Sequence, residues 1–232
     1  IPTMDNAIFA RGLQAVQEEL ARVGATLLVA SSSYRQDLEA EQIRALVARG
    51  ADGLLLIGHE RDAEIYDFLD RRQVPVCVAW VYDPAQPKPS VGFDNRAAMR
   101  AMAAEVVARG HRRIAMISAR QADNDRARDR ILGVKDAMAE ADLRPDRLTV
   151  FETEYTIEAG SAALIQLVAS SPAPTAVICG NDVLAVGAVK AARGMGVRVP
   201  DDISITGFDD IELATVTTPA LTTVHVPHRE MG

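Results

Sequence analysis

The sequence predicts an α/β protein in which parallel strands alternate with helices in a doubly wound arrangement. Short apolar runs rich in β-branched residues alternate with longer stretches whose apolar residues recur every three or four positions. An arginine followed by a glycine closes several of the longer stretches, as at Gly24, Gly50, Gly110 and Gly194. Cations favour a helix C-terminus and glycine tolerates the left-handed cap. This alternation is typical of parallel sheets covered by helices on both faces.

The elements follow in order along the chain. Apolar spacing marks the first helix at Phe9, Leu13, Val16 and Leu20. Six later helices are predicted: one around Ile43 that stops at Arg49, three at residues 61–72, 95–109 and 157–168, one around Ala127 to Met138, and one at 183–194. The strands are predicted at residues 25–30, 52–57, 74–80, 91–93, 113–118, 148–151, 176–179, 203–208 and 222–226.

The most informative stretch runs from residue 175 to residue 210. A strand there ends at Gly180, where Asn181 supplies a short side-chain oxygen that caps the next helix, and Asp209 follows the next strand. In open parallel sheets, ligands bind at the edge where the strands end. Capping or turn formation explains each polar residue alone. Together, the carboxylates, amides, guanidinium groups and rings that follow the strands suit a carbohydrate.

Composition excludes several classes of function. A net charge of −7 argues against this chain gripping nucleic acid or anionic membrane by itself, and no apolar run is long enough for a membrane helix. Cys77 and Cys179 lie in apolar strand patterns and are interpreted as buried hydrophobes, which fits a reducing cytoplasm. There is no phosphate-binding glycine motif, nucleophile elbow or metal-ligand spacing. We therefore expect no enzyme activity, no cofactor, no metal and no catalytic residue.

Five motifs carry a resemblance to a known family. They are CGNDVLAVGAVKAARGMGVRVPDDISITGFDD at 179–210, VGFDN at 91–95, GHRRIAMIS at 110–118, the R-x-x-G of Arg130 to Gly133, and PALTTVHVP at 219–227. In this order they resemble the lactose-repressor (LacI/GalR) family of bacterial transcription regulators, over essentially the whole chain.

The resemblance implies the effector-binding core of such a regulator. That core has two α/β lobes of the type I periplasmic-binding-protein kind, which are joined by three crossovers and close on a small molecule. By likeness the first lobe is 1–109 without its first strand, the second is 110–222, and 223–232 returns to the first. We expect a fragment of a longer protein, with a helix-turn-helix domain that binds operator DNA lying outside it. The resemblance also implies a homodimer.

The effector contacts are carried over by position. Phe9 matches an aromatic loop residue, Asp94 the crossover aspartate, and Arg130 a principal effector ligand. Tyr155 falls where the family places an aromatic that stacks on the effector. Asn181 and Asp209 match the amide and carboxylate that bind polar groups of the effector. Trp80 is our own addition, because a lone tryptophan at a strand end suits a lid over a sugar.

The preferred hypothesis is a cytoplasmic transcription regulator whose DNA affinity is set by a neutral sugar. Asp94, Glu154 and Asp209 outnumber Arg130, and carboxylates accept hydroxyls and repel phosphates. A periplasmic sugar-binding protein of the same fold is the alternative, and an α/β enzyme acting on a sugar is a third. The sequence leaves open which effector binds and whether it induces or co-represses.

Overall fold

The computed structural model describes residues 1–4 and 8–232 and confirms the α/β class with parallel strands. Helices and strands alternate through most of the chain. The elements are α1 (Ala10–Arg22), α2 (Gln36–Ala48), β1 (Leu54–Ile57), α3 (Ala63–Arg71), β2 (Val76–Ala79), β3 (Ser90–Val91), α4 (Asn95–Ala108), β4 (Ile114–Ala119), α5 (Asp125–Glu140), β5 (Thr149–Thr153), α6 (Ile157–Val168), β6 (Ala176–Cys179), α7 (Asp182–Gly194), β7 (Ser204–Thr206) and α8 (His228–Met231). No helix in the described part of the chain combines the length and apolar character needed to cross a membrane.

The chain folds as two compact units. Unit 1 comprises Ile1–Asp94, Ala122–Asp125 and Pro227–Gly232, and unit 2 comprises Asn95–Gln121 and Arg126–Val226. Helix α4 therefore packs with unit 2, whereas the lobe boundary predicted after residue 109 assigns it to the first lobe. That lobe division stays a prediction.

Unit 1 is built on a parallel sheet with the strand order β1-β2-β3. Leu54 pairs with Val76 at one end of the sheet, and Val78 pairs with Ser90. Helices α2 and α3 bury Ile43 and Leu69 in the core beside Val78. The regularly spaced apolar residues of those helices thus face the sheet, as the sequence predicts.

Unit 2 is built on a parallel sheet with the strand order β5-β4-β6-β7. The inner strands β4 and β6 are buried along their whole length, which matches their continuous apolar sequence. Helices α6 and α7 pack closely because Gly187 carries no side chain. A Cβ there would lie 2.1 Å from the carbonyl oxygen of Ile157. The small residues of α7 are therefore a packing requirement.

The strand predicted at 25–30 does not form. Leu28 is 54% exposed and Val29 is 41% exposed, and the segment has no ladder with another strand among the described residues. It is bonded at both ends but not in a ladder: Ala25 N donates to the Leu20 carbonyl at 2.9 Å, and the amino group of Ile1 donates to the carbonyl of Ala30 at 2.8 Å. Just beyond it, Ser32 N donates to the Ile1 carbonyl at 3.0 Å. An apolar pattern predicts a strand, but a strand also needs a neighbour to pair with.

The last predicted strand, 222–226, is reduced to isolated parallel bridges. Thr222 bridges to Thr206 at the end of β7, and His225 bridges to Asp209 just beyond it. The remaining predicted strands and helices form, with ends that shift by a few residues. The final segment therefore pairs mainly with the loop that carries Asp209.

Candidate functional site

Arg130 is the centre of a polar cluster in unit 2. It lies on α5, its side chain is only 7% exposed, and Nε donates to Oδ1 of Asn95 at 2.9 Å. Nη1 donates to the carbonyl of Gly180 at 2.6 Å, and the guanidinium carbon lies 3.8 Å from the centre of the Phe208 ring. Three hydrogen-bonding and stacking partners hold the guanidinium plane in one orientation.

Asp209 lies next to Arg130, in the loop that follows β7. Its side chain is 1% exposed, and Oδ1 is 3.6 Å from Nη2 of Arg130. Its φ of +104° is unusual for a residue other than glycine, and its backbone N–H donates to the carbonyl of Val224 at 3.0 Å. Burial raises the pKa of Asp209 to about 7, which the charge of Arg130 opposes and that of Asp182 reinforces. The carboxyl group therefore titrates near neutrality and can donate as well as accept a hydrogen bond.

Asn181 caps α7, as the sequence predicts, and is fully buried. Its Oδ1 accepts a hydrogen bond from Leu184 N at 2.9 Å, which is the expected N-cap geometry. Its Nδ2 has no hydrogen-bond partner among the residues that the structure describes. A buried donor left in this state is costly and calls for an explanation such as a ligand.

Two buried hydroxyls share this property at the ends of β4 and β7, the two strands that flank β6 in the sheet. Ser118 on β4 is fully buried, and Thr206, the last residue of β7, is 7% exposed. Within the described ranges, 1–4 and 8–232, neither hydroxyl oxygen has a hydrogen-bond partner. Ser118 lies close to Gly180, where a Cβ would be 3.5 Å from Oγ. We use the name polar edge of unit 2 for five residues: three at or just after the carboxyl ends of its strands, and two on helices α4 and α5 that bond beside them. They are Asn95, Ser118, Arg130, Asn181 and Asp209.

Asp182 forms hydrogen bonds that hold the loop carrying Asp209 in place. Its Oδ1 accepts from the hydroxyl of Thr223 at 2.6 Å, its Oδ2 accepts from Ile211 N at 2.9 Å, and its backbone N–H donates to the Phe208 carbonyl at 2.8 Å. Burial raises the pKa of Asp182, while these hydrogen bonds oppose the rise. The carboxylate thereby ties the loop of Asp209 to the segment that contains Thr223.

Two adjacent residues of one predicted motif differ in burial, and the effector contact predicted for Asp94 stays a prediction. Asp94 is exposed, whereas Asn95, the next residue, is 2% exposed and accepts from Arg130. The motif VGFDN contains both residues, but only its second one joins the polar edge of unit 2. The sequence signal for Asn95 is its position at the start of a helix, where an amide is common. Its burial depends on packing and is not visible in that signal.

The three predicted aromatic residues lie in different places. Tyr155 is half-buried at the margin of the unit 2 core. Phe9 and Trp80 meet in unit 1, with ring centres 5.2 Å apart and planes at 75°. Trp80 is 3% exposed, and its Nε1 donates to Nδ1 of His228 at 3.1 Å. The structure therefore brings together Arg130, Asn181 and Asp209 in one unit and the two rings in the other. These placements leave the predicted ligand roles as predictions.

The geometry defines a class of protein: two parallel α/β units, one with a buried polar edge suited to hydrogen-bond a small molecule. Comparisons with known proteins identify the family. A family model described as a periplasmic binding protein-like domain matches residues 103–232. The repressor PurR of Photobacterium profundum is 30% identical over 228 residues, which are 98% of this chain and 68% of that protein.

Solved structures agree with this assignment. A LacI family transcriptional regulator from Silicibacter pomeroyi superposes with a TM-score of 0.90 at 28% identity, covering 100% of this chain and 86% of that one. A sugar-binding LacI family regulator from Escherichia coli, complexed with phosphate, gives a TM-score of 0.82 at 27% identity, covering 97% and 81%. The chain belongs to the LacI family of transcriptional regulators and forms its periplasmic-binding-protein-like effector-binding domain. It is a regulatory domain and not an enzyme.

Proposed function

We propose that this domain controls a transcriptional repressor by binding a neutral sugar through the polar edge of unit 2. The observation that carries the proposal is the presence of buried polar atoms that lack partners in the described structure. They are Nδ2 of Asn181, Oγ of Ser118 and Oγ1 of Thr206. They lie at or just after the carboxyl ends of three strands of one parallel sheet, which is where ligands bind in such sheets. A ligand rich in hydroxyl groups satisfies donors and acceptors alike.

The chemistry of Asp209 and Arg130 favours a neutral ligand over an anionic one. Arg130 already bonds Asn95 and the Gly180 carbonyl, stacks on Phe208 and pairs with Asp209, so its charge is largely committed within the unit. Asp209, with its pKa near 7, offers a donor or an acceptor to a hydroxyl. A phosphate would meet a partly ionised carboxylate and no uncommitted cation at this pair. Tyr155 remains our candidate for covering a sugar ring.

Regulation follows from differential binding. An effector changes DNA affinity only by as much as it binds one arrangement of the protein more tightly than another. We propose that operator DNA is bound by a helix-turn-helix domain that precedes this one in a longer protein, and that the protein acts as a homodimer in the cytoplasm. Phe9, Trp80 and Asp94 remain candidate effector contacts under this proposal.

The test uses two adjacent aspartates. Above pH 7, where the Asp209 carboxyl group is mostly ionised, the amide of the Asp209→Asn variant replaces one of its acceptors by a fixed donor, so we expect sugar binding there to weaken by about 1–3 kcal/mol. Asp210→Asn is the matched control, because Asp210 is 40% exposed and pairs with His225. A thermal-shift screen over neutral sugars, sugar phosphates and purines selects the ligand, and calorimetry then measures its affinity for the three chains.

Two outcomes would contradict the proposal. One is a sugar phosphate that binds more tightly than its parent sugar. The other is an Asp209→Asn variant that binds as tightly as the Asp210→Asn control.

A further inference from the structure

The connection between helix α2 and strand β1 of unit 1 contains the only Asp-Gly pair of the sequence, Asp52–Gly53, and the sequence has no Asn-Gly pair. Both residues are exposed. Within the described ranges, the carboxyl group of Asp52 forms no hydrogen bond or ion pair, and the N–H of Gly53 donates to no carbonyl. The two groups are therefore not held by bonds to the rest of the chain.

The chain is anchored on both sides of this pair. At the end of α2, Ala51 N donates to the carbonyl of Leu46 at 3.1 Å. At the start of β1, Leu54 N donates to the carbonyl of Pro75 at 2.9 Å. Only the two residues of the Asp-Gly pair lie between these anchored positions, so any change in the length of their main chain acts directly on the start of β1.

Nothing in the local backbone requires a glycine at position 53. The φ of Gly53 lies outside the left-handed region, and a Cβ there would lie 3.5 Å from the side chain and from the carbonyl oxygen of Pro75, which is ordinary van der Waals contact. The glycine instead leaves its main-chain nitrogen open to close approach by a neighbouring group. The nearest reactive group in the chain is the carboxyl group of the preceding residue, Asp52.

An aspartate and a following unhindered amide nitrogen can form a five-membered ring. The nitrogen of Gly53 bonds to Cγ of Asp52, and one carboxyl oxygen leaves as water with the amide proton and, from an ionised carboxylate, one proton from solvent. Water then opens the ring at either carbonyl. Opening at the side-chain carbonyl restores aspartate, whereas opening at the main-chain carbonyl leaves isoaspartate. Water is the only co-reactant, and nothing is oxidised or reduced.

We infer that Asp52 is a site of spontaneous covalent modification, at which the peptide bond to Gly53 is transferred to the side-chain carboxyl group to give isoaspartate. The product carries one additional methylene carbon in the main chain and a free α-carboxylate on the surface. Because the connection is anchored on both sides, the additional carbon loosens the hydrogen bond of Leu54 at the start of β1. This site is independent of the proposed effector function.

Two other exposed aspartates serve as internal controls. Asp142 and Asp201 also lie in turns, but each is followed by a residue with a side chain. The N–H groups of those following residues, Leu143 and Asp202, each donate to a main-chain carbonyl at 2.9 Å. Their nitrogens are therefore both bonded and sterically hindered, unlike the nitrogen of Gly53.

The first measurement follows the folded chain during incubation at neutral pH and physiological temperature. Samples are digested, and isoaspartate is located by mass spectrometry and by labelling with a carboxyl methyltransferase specific for the free α-carboxylate of isoaspartate. The label should accumulate with time at Asp52 and stay at its starting level at Asp142 and Asp201. No accumulation at Asp52, or equal accumulation at all three residues, would overturn the inference.

The second measurement compares two glycine variants. Gly53→Ala places a methyl group beside the attacking nitrogen and should lose most of the label at Asp52, while its Tm stays at the parent value because the added Cβ has room. Gly194→Ala is the matched control, since Gly194 is exposed, its added Cβ meets no atom within 4 Å, and no aspartate precedes it. A Gly53→Ala chain that labels as fast as the Gly194→Ala chain would contradict the assigned chemistry.

The third measurement tests the effect of the modification on β1. After incubation and hydrogen exchange, chromatography separates the peptide that contains isoaspartate from its unmodified form. The N–H of Leu54 should exchange about fivefold faster in the modified form, as expected when one main-chain hydrogen bond is lost. Equal exchange in the two forms would show that the additional carbon does not loosen β1 and would overturn that part of the inference.

Discussion

The side chains packed at the carboxyl ends of the strands differ in kind between the two units. In unit 1, the end of β2 is filled by an aromatic pair, in which Trp80 packs on Phe9 and bonds His228. In unit 2, the corresponding edge carries Asp209, which follows β7, and Arg130 from helix α5; both are buried ionisable groups held by side-chain and backbone contacts. The comparison shows that one edge is stabilised by apolar burial, while the other retains charged groups whose desolvation must be offset by bonds to protein or ligand.

The largest expected effect tests the aromatic side of this comparison. Trp80→Ala should lower the free energy of unfolding by about 3–5 kcal/mol, because it removes a large buried ring and leaves a cavity. Chemical denaturation followed by circular dichroism measures the loss, since Trp80 is the single tryptophan and its fluorescence disappears with it. Tyr82→Ala is the control, because Tyr82 is 54% exposed. A loss below about 1 kcal/mol would mean that the aromatic pair does not stabilise unit 1 as its burial suggests.

A pH-dependent effect of a few kcal/mol tests the charged side. The folded pKa of Asp209 is raised from 3.8 to about 7, so the native state retains a proton that the unfolded state has lost. Stability from this group is therefore fully present below about pH 4 and is lost as the pH rises through about 7, at roughly 1.4 kcal/mol per pKa unit. Denaturation of the parent and of Asp209→Asn should show the decline between about pH 4 and pH 7 in the parent and a smaller decline in the variant.

Asp182 contributes to the same decline, because its pKa is also raised. The variant should therefore retain part of the slope. Asp210→Asn should retain most of it, because the charge of Asp210 raises the pKa of Asp182 but not that of Asp209. Equal slopes in the parent and in Asp209→Asn would show that the carboxyl group of Asp209 is solvated in solution.

The smallest effect sharpens the comparison by separating support from binding. Thr223→Val removes the hydroxyl that donates to Oδ1 of Asp182 and should cost about 1–2 kcal/mol of unfolding free energy. Thr215→Val is the control, because Thr215 donates only to the carbonyl of Glu212 in an exposed turn. Amide hydrogen exchange at Asp209 should accelerate in Thr223→Val, since the loop loses one of its ties. Unchanged exchange there would show that Asp182 does not hold the Asp209 loop through Thr223.

Local chemistry in the sequence determined the alternation of helices and strands and the polar residues that follow them. Asn181 caps α7 through a bond to a residue three positions away, and glycine ends helices at positions where φ is positive, such as Gly110. These features depend on neighbours in the chain, so residue type and spacing are sufficient to predict them. The family motifs at 91–95 and 179–210 are equally local.

Only the tertiary structure decided which residues meet. Arg130 finds Asn95 at a separation of 35 residues, Gly180 at 50, and Asp209 still further along the chain. The same dependence on distant partners leaves 25–30 without a strand, buries Asn95 while the adjacent Asp94 stays exposed, and buries Trp80 against His228, 148 residues away. Each outcome rests on how packed elements satisfy one another's polar groups and fill one another's space, which a local pattern does not encode.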